Sequence, residues 1–107
     1  MIARIWTAHT TPENAPKYRE HFETQVLPAL RSVPGYAGAE LFNSVASDEV
    51  EIVVTTRWQS LAAIRAFAGA DPESAVVAEE VQPFFTQWDR RVRHYEVLVE
   101  ENQPTRD

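Results

Sequence analysis

The sequence predicts an α+β sandwich, a four-stranded antiparallel sheet with two helices on one face. Three observations carry that reading. β-branched and aromatic residues concentrate in four stretches, 2–9, 36–43, 50–58 and 91–99. A helical stripe separates the first from the second, and an alanine-rich capped segment separates the third from the fourth. The two middle stretches are joined by six polar residues, Ser44 to Glu49, the length of a hairpin connection. Two strand–helix–strand units with right-handed crossovers give a ferredoxin-like βαββαβ arrangement, with the two crossover strands side by side in the middle.

Each element has its own signal. Ile2 to His9 mixes β-branched and aromatic residues and runs into Thr10-Thr11-Pro12, where a helix is expected to start. Either Thr11 caps with Pro12 at the first helical position, or Thr10 caps with Glu13 completing a capping box. Tyr18, Phe22, Val26 and Leu30 then recur every four residues, an amphipathic helix whose last turn Pro28 should kink or loosen. Val33-Pro34-Gly35 ends it. Ala37, Ala39 and Leu41 share one face of the second strand, and Val50 to Trp58 is the most apolar strand. Ser60 caps a short helix through Phe67, which Gly69 closes. Asp71-Pro72 predicts a further helical segment, broken or restarted by Pro83 near Phe84 to Trp88. Arg91 to Val99 alternates as the fourth strand, and 100–107 is expected to be a frayed tail beyond a single domain at 1–99.

Composition excludes whole classes of function. With 107 residues there is room for one core. Sixteen acids against ten bases give a formal charge of −6, which argues against a nucleic-acid binder or a surface resting on anionic lipid. The absence of cysteine removes disulfides, thiolate zinc sites, iron–sulfur clusters and a cysteine nucleophile. No stretch reaches the roughly 18 apolar residues of a membrane span, and the N-terminus lacks a signal-peptide core, so a cytoplasmic protein is expected. Gly35, Gly38 and Gly69 are too scattered for a phosphate-binding loop, and no nucleophile elbow occurs. The three histidines lack metal-ligand spacing, so no metal site is expected.

The helix-free side of the sheet also needs a cover. Val, Ile and Trp residues are expected in both phases of the third strand, and a sheet apolar on both faces calls for a partner sheet. The simplest partner is a second copy, giving a homodimer.

Several separated motifs then resemble one family. Val33-Pro34-Gly35-Tyr36 with Gly38, Trp58 closing a strand before Ser60, Ala66 through Ala75, and Val92-Arg93-His94-Tyr95-Glu96-Val97 are similar to the antibiotic biosynthesis monooxygenase-like family. The resemblance spans residues 1 to 99 and implies a dimeric α+β barrel. Members include cofactor-independent oxygenases of quinone pathways, haem-degrading oxygenases and autoinducer-processing proteins. The haem-degrading branch carries an asparagine in the first strand, a tryptophan in the second helix and a histidine ligand after it. Here Trp6, Phe67 and Ala75–Val76 hold those places, so no haem or other cofactor is expected, an unusual ligand such as His94 being the remaining route. The quinone-forming branch pairs an asparagine with a tryptophan four residues apart, followed by a tyrosine. Trp58 matches the tryptophan, whereas Val54 and Ile64 replace the other two.

On this reading Trp58 is the orienting N–H donor and His94 the base, with Trp6, Phe67, His9 and Tyr95 lining the substrate pocket. His9 is expected near Arg91 to Arg93, where a His–Arg cluster could hold an anion. His21 is read as a boundary residue beside Phe22. A cofactor-independent monooxygenase would ionise a small aromatic, polyketide- or quinone-type substrate. Moving a proton from a phenol to a histidine costs about 5 kcal/mol, which one or two positioned donors offset. The other reading is a non-catalytic barrel that binds a small hydrophobic ligand or serves a stress-related role.

Overall fold

The computed structural model describes residues 1–104; the last three residues of the expected tail lie outside them. β1 (Ile2–Thr10), β2 (Tyr36–Ala46) and β3 (Glu49–Trp58) form the frame of one antiparallel sheet. Two short strands, β4 (Phe85–Trp88) and β5 (Arg93–Glu96), share the far edge of β1. β4 pairs with Ala8–Thr10 and β5 with Ile2–Ile5. The order β2-β3-β1-β4 puts the crossover strands β1 and β3 in the middle, as the ferredoxin-like reading requires.

The last strand differs from expectation in being split. Phe84 to Trp88 was expected to be helical, but only a 3₁₀ turn, Glu79–Phe84, precedes β4. Phe85 and Trp88 carry the aromatic content of a strand, and Pro83 ends the turn's donor supply. Pairing then stops at Glu96.

The first helix is continuous but not uniform. α1 (Ala15–His21) follows a turn that opens as the Thr11–Pro12 reading expects, the Thr11 hydroxyl accepting the N–H of Asn14 at 3.2 Å and its carbonyl that of Ala15 at 3.0 Å, whereas Thr10 donates to the Phe84 carbonyl and forms no capping box. Phe22–Val26 is a π turn, and α2 (Leu27–Arg31) follows. Pro28 explains the widening: it has no N–H for the Thr24 carbonyl, and the Leu27 N–H reaches back five residues to Phe22. The extra residue brings both Val26 and Leu27 toward the core, beside buried Tyr18, Phe22 and Leu30.

α3 (Leu61–Ala68) starts where the Ser60 hydroxyl accepts the Ala63 N–H at 3.1 Å, and it ends at Gly69, whose φ of +93° suits glycine. The helix expected from Asp71-Pro72 does not form. The Asp71 carboxylate is drawn to Arg91 at 2.9 Å, and residues 70–78 cross the molecule as irregular chain. Backbone bonds from Ala75 N–H to the Arg90 carbonyl and from Val92 N–H to the Glu73 carbonyl, 2.9 and 2.8 Å, hold it to the segment between β4 and β5.

Alternation sorts the side chains. Arg4, Trp6, Ala8 and Thr10 of β1 and Val50, Ile52, Val54, Thr56 and Trp58 of β3 are buried under the helices. The opposite phase carries Ile5, Thr7, His9, Val53, Thr55, Arg57, Glu49 and Glu51. The expectation of Val, Ile and Trp in both phases of β3 therefore fails. Val53 is the one aliphatic residue in the outward phase of β3, and acids and Arg57 surround it.

Candidate functional site

The helix-side row across the sheet at Thr56, Arg4 and His94 brings together most of the chemistry the sequence offers. His94 faces the helix side, opposite Arg4. The Arg4 guanidinium is buried with no carboxylate partner among the described residues. It donates to the carbonyls of Pro72 and Ser74, the latter at 2.7 Å, and lies 3.2 Å from His94 Nε2. Its Cζ also sits 5.7 Å from the centre of the Phe67 ring. Burial pushes the Arg4 pKa down to about 10, so the side chain stays charged at neutral pH. Desolvation and then the Arg4 charge lower the His94 pKa, while Glu73 pulls it the other way. Arg4 has no acceptor, so His94 is neutral here with its proton on Nδ1.

Trp58 lies beside this row with no exposed surface. Its ring stacks on Phe67 with centroids 5.4 Å apart, and its N–H donates to the Thr56 hydroxyl at 2.8 Å. The donor expected to orient a substrate is engaged inside the core. Trp6 is similar: buried, edge-on to Phe85, its N–H donated to the Asp89 carbonyl at 2.8 Å. His9 and Tyr95 do not join these residues, because their strand positions point to the helix-free face. His9 pairs with Gln87 across the sheet and meets Glu49 at 2.9 Å and Glu51 at 3.9 Å, so the expected His–Arg cluster is replaced by an acidic one. Arg91 is held instead by Asp71 and Glu73.

The space directly beneath the helices is filled by Trp6, Tyr18, Phe22 and Phe85. Space remains to one side. A cavity of about 200 Å³ lies between the helix and residues 76–80, lined mainly by Val26, Ala29, Phe67, Val76 and Ala78, with His21, Gln25 and Glu80 as its polar groups. These helix residues straddle the π turn, a departure from regular helix often found at functional sites. Phe67 links the two regions, touching Trp58 and lining the cavity as well. His21 Nδ1 is 4.0 Å from Glu80 Oε1, an ion-pair separation. Two residues were missed from the sequence. Arg4 could have been found by phasing the first strand, which places it with Trp6. His21 was legible as a boundary residue beside the Tyr18–Phe22 stripe, but the approach of residues 76–80 that encloses it had no local signal.

The family model for antibiotic biosynthesis monooxygenases matches residues 1–79, and the chain belongs to that family. No curated protein matches it. Among solved structures, the heme-degrader MhuD of Mycobacterium tuberculosis, with two hemes bound in its active site, is 24% identical. It aligns over 95% of this chain and 100% of its own, with a TM-score of 0.64. A Streptomyces coelicolor monooxygenase from the gene ActVA-Orf6, in complex with nanaomycin D, is 22% identical over 97% of this chain and 92% of its own, with a TM-score of 0.61. A Bacillus cereus protein described as a candidate antibiotic biosynthesis monooxygenase reaches a TM-score of 0.69 at 14% identity, over 95% and 97%. At these identities the likeness establishes the fold.

One expectation must be corrected. The absence of any cofactor, haem above all, does not stand, because the mycobacterial neighbour binds haem and a mutant of it binds manganese protoporphyrin IX. The argument had relied on the lack of a histidine near Ala75–Val76. In space, however, Val76 and His21 line the same cavity. An imidazole is one of the donors haem iron takes, so His21 is of the right type, while a cavity of about 200 Å³ admits a porphyrin only if its wall moves outward. His94 is a poorer candidate, since its Nε2 already faces Arg4.

Proposed function

We propose that this protein is a monooxygenase that holds a small, flat aromatic ligand in the cavity between the π turn and residues 76–80. The observation that carries the reading is the cavity itself: an apolar slot walled by Phe67, Val26 and Val76, with its polar groups confined to His21, Gln25 and Glu80. Sites for small molecules have this composition, a hydrophobic lining with a few polar groups that fix orientation. The volume suits one or two fused rings, and a larger ring system requires residues 70–78 to move outward. That segment forms no helix, and its anchors to Arg4, Arg90, Arg91 and Val92 all fall at residues 71–75, so 76–78 are the part of the wall that can yield. Two copies pack through the helix-free sheet face in the working form.

A second reading has one specific observation behind it. With His21 on the wall, the same cavity, once opened by movement of residues 70–78, would hold haem through that imidazole. Bound haem would supply dioxygen activation. Within that reading His21 holds the group, while Val26 and Val76 keep water from it.

The test uses 1-naphthol for binding and a model anthrone for oxygen uptake. Ala29→Phe fills the cavity from the solvent-side helix without touching the Trp58 core. Naphthol quenching of tryptophan fluorescence and anthrone-dependent oxygen uptake are both expected in the wild type and lost in Ala29→Phe, with the far-ultraviolet spectrum unchanged. Uptake equal in the two proteins would overturn this site. A Soret band on haem titration, lost in Ala29→Phe, would select the second reading.

A further inference from the structure

We infer that Arg4 sets the width of the cavity and so selects ligands by size, admitting one or two fused rings and turning away broader ones; this rests on the cavity reading and deepens it. Arg4 does not line the cavity. It is a positioning residue that grips both walls from the sheet beneath.

A guanidinium buried without a carboxylate is unfavourable, and an apolar side chain of similar length would occupy the position with less desolvation. Here the charge is directed at two backbone carbonyls, those of Pro72 and Ser74, the latter at 2.7 Å. A planar fork suits that pair, because its two terminal nitrogens reach acceptors two residues apart. His94 Nε2, 3.2 Å away, completes the set. The same guanidinium lies over the Phe67 ring, 5.7 Å from its centre, an attraction between a cation and an aromatic face. Phe67 forms one wall of the cavity. Val76 and Ala78 belong to the facing wall and follow Ser74 by two and four residues. Wherever Arg4 holds 72–74, that wall starts from there.

The other restraints on the segment act at its outer side. Arg91 pairs with Asp71 and Glu73 on the exposed surface, and backbone bonds at Glu73 and Ala75 tie the chain to the run between β4 and β5. Among the described residues that bond to 71–75, Arg4 is the one that also contacts Phe67. With its grip removed, 70–78 can swing as a whole, where otherwise only 76–78 yield.

The test compares 1-naphthol with the broader 1-hydroxypyrene by tryptophan quenching, counting only the binding that Ala29→Phe removes in each background. In the wild type 1-naphthol should bind about tenfold more tightly, a size discrimination ordinary for an apolar pocket. Arg4→Met keeps the length and removes the fork. It should bring the two affinities within about twofold of each other, chiefly through tighter 1-hydroxypyrene binding. Arg4→Lys keeps the charge without the fork and should give an intermediate ratio. If Arg4→Met loses its far-ultraviolet spectrum, Arg4→Lys decides, and a wild-type ratio there overturns the inference. Arg91→Ala, which loses the exposed ion pairs to the same segment, should keep the wild-type ratio. A shift as large as that of Arg4→Met would mean that any loosening widens the slot, and would overturn the role given to Arg4. A folded Arg4→Met with the wild-type ratio overturns it as well. A wild type that binds both probes equally, with both lost in Ala29→Phe, overturns the inference and leaves the cavity reading standing. A wild type that binds neither overturns the cavity reading and this inference with it.

Discussion

At the scale of single residues, Trp58 shows how a side chain can look functional in sequence and act in packing. It is fully buried, stacked on Phe67, edge-on to Tyr36 at 5.6 Å, and bonded to Thr56. Trp58→Phe would open a small void and leave the Thr56 hydroxyl without its donor. The expected cost is about 1–3 kcal/mol, read as a lower urea midpoint at unchanged slope. Oxygen uptake per folded molecule should be retained; a stable Trp58→Phe protein with abolished uptake would restore Trp58 as the orienting donor. The residue types were legible in the sequence, but their availability was not. Whether an indole N–H is free depends on an acceptor two residues away for Trp58 and 83 residues away for Trp6. His9 illustrates the same limit. Its placement on β1 was readable, yet a strand neighbour could lie on either face, and the alternation put it with Glu49 and Glu51.

At the scale of elements, local signals succeeded where a cap or a stripe decided the outcome and failed where a distant ion pair did. Ser60 and Gly69 bound α3 as their chemistry requires. Asp71 does accept the Glu73 N–H at 3.1 Å, yet no helix follows, and its other oxygen is bound by Arg91 twenty positions on, a pairing no sequence window contains. Pro28 signalled a disturbed helix, but only the fold shows that the disturbance is a π turn at the cavity wall. The crossing segment 70–78 has a second anchor in Arg4, which reaches the carbonyls of Pro72 and Ser74. That anchor is sensitive to pH through His94. The folded state holds the His94 pKa below its ordinary value, chiefly by desolvation and then by Arg4. The unfolded chain therefore binds the extra proton first as pH falls. The stability tied to neutral His94 is full above about pH 6.5 and is lost as pH drops from there through the lowered folded-state value. Urea midpoints measured between pH 7.5 and 5 should decline, and amide exchange in 70–78 should quicken in parallel. His94→Gln, which can still accept from Arg4, should flatten that decline. A variant with the wild-type pH profile would remove His94 from the account.

At the scale of the whole molecule, the single chain leaves too much uncovered. Its radius of gyration is 14.5 Å, against roughly 13 Å for a domain of this length, and its extents are 44 × 36 × 23 Å. Phe42 and Tyr95 are half exposed on the helix-free face, and Leu98 and Val99 are 81% and 86% exposed. The face is not uniformly apolar, as the sequence had suggested, and its pattern is more specific than that. Phe42, Val53 and Thr7 form one row, with Glu40, Thr55, Ile5 and Arg93 in the next. The acidic group of Glu49 and Glu51 lies toward the hairpin end, while Arg57 and Arg93 lie toward the other. A two-fold axis running across the strands would set each end of the face against the opposite end of its copy, so that acids meet arginines around a centre of Val53 and Ile5. The 11-residue β2 also presents an edge unpaired among the described residues. Sedimentation velocity at micromolar concentration should therefore show a species of twice 12.2 kDa. Val53→Lys, at the centre of the face and away from the helix-side core, should shift it to the single-chain mass with its circular dichroism unchanged. Glu49→Lys, at the rim, should weaken association less, and more at low salt than at high salt. A wild type that sediments only as a single chain would mean that the charged rim keeps copies apart, and that the outward phase of β3 is solvent-facing by design.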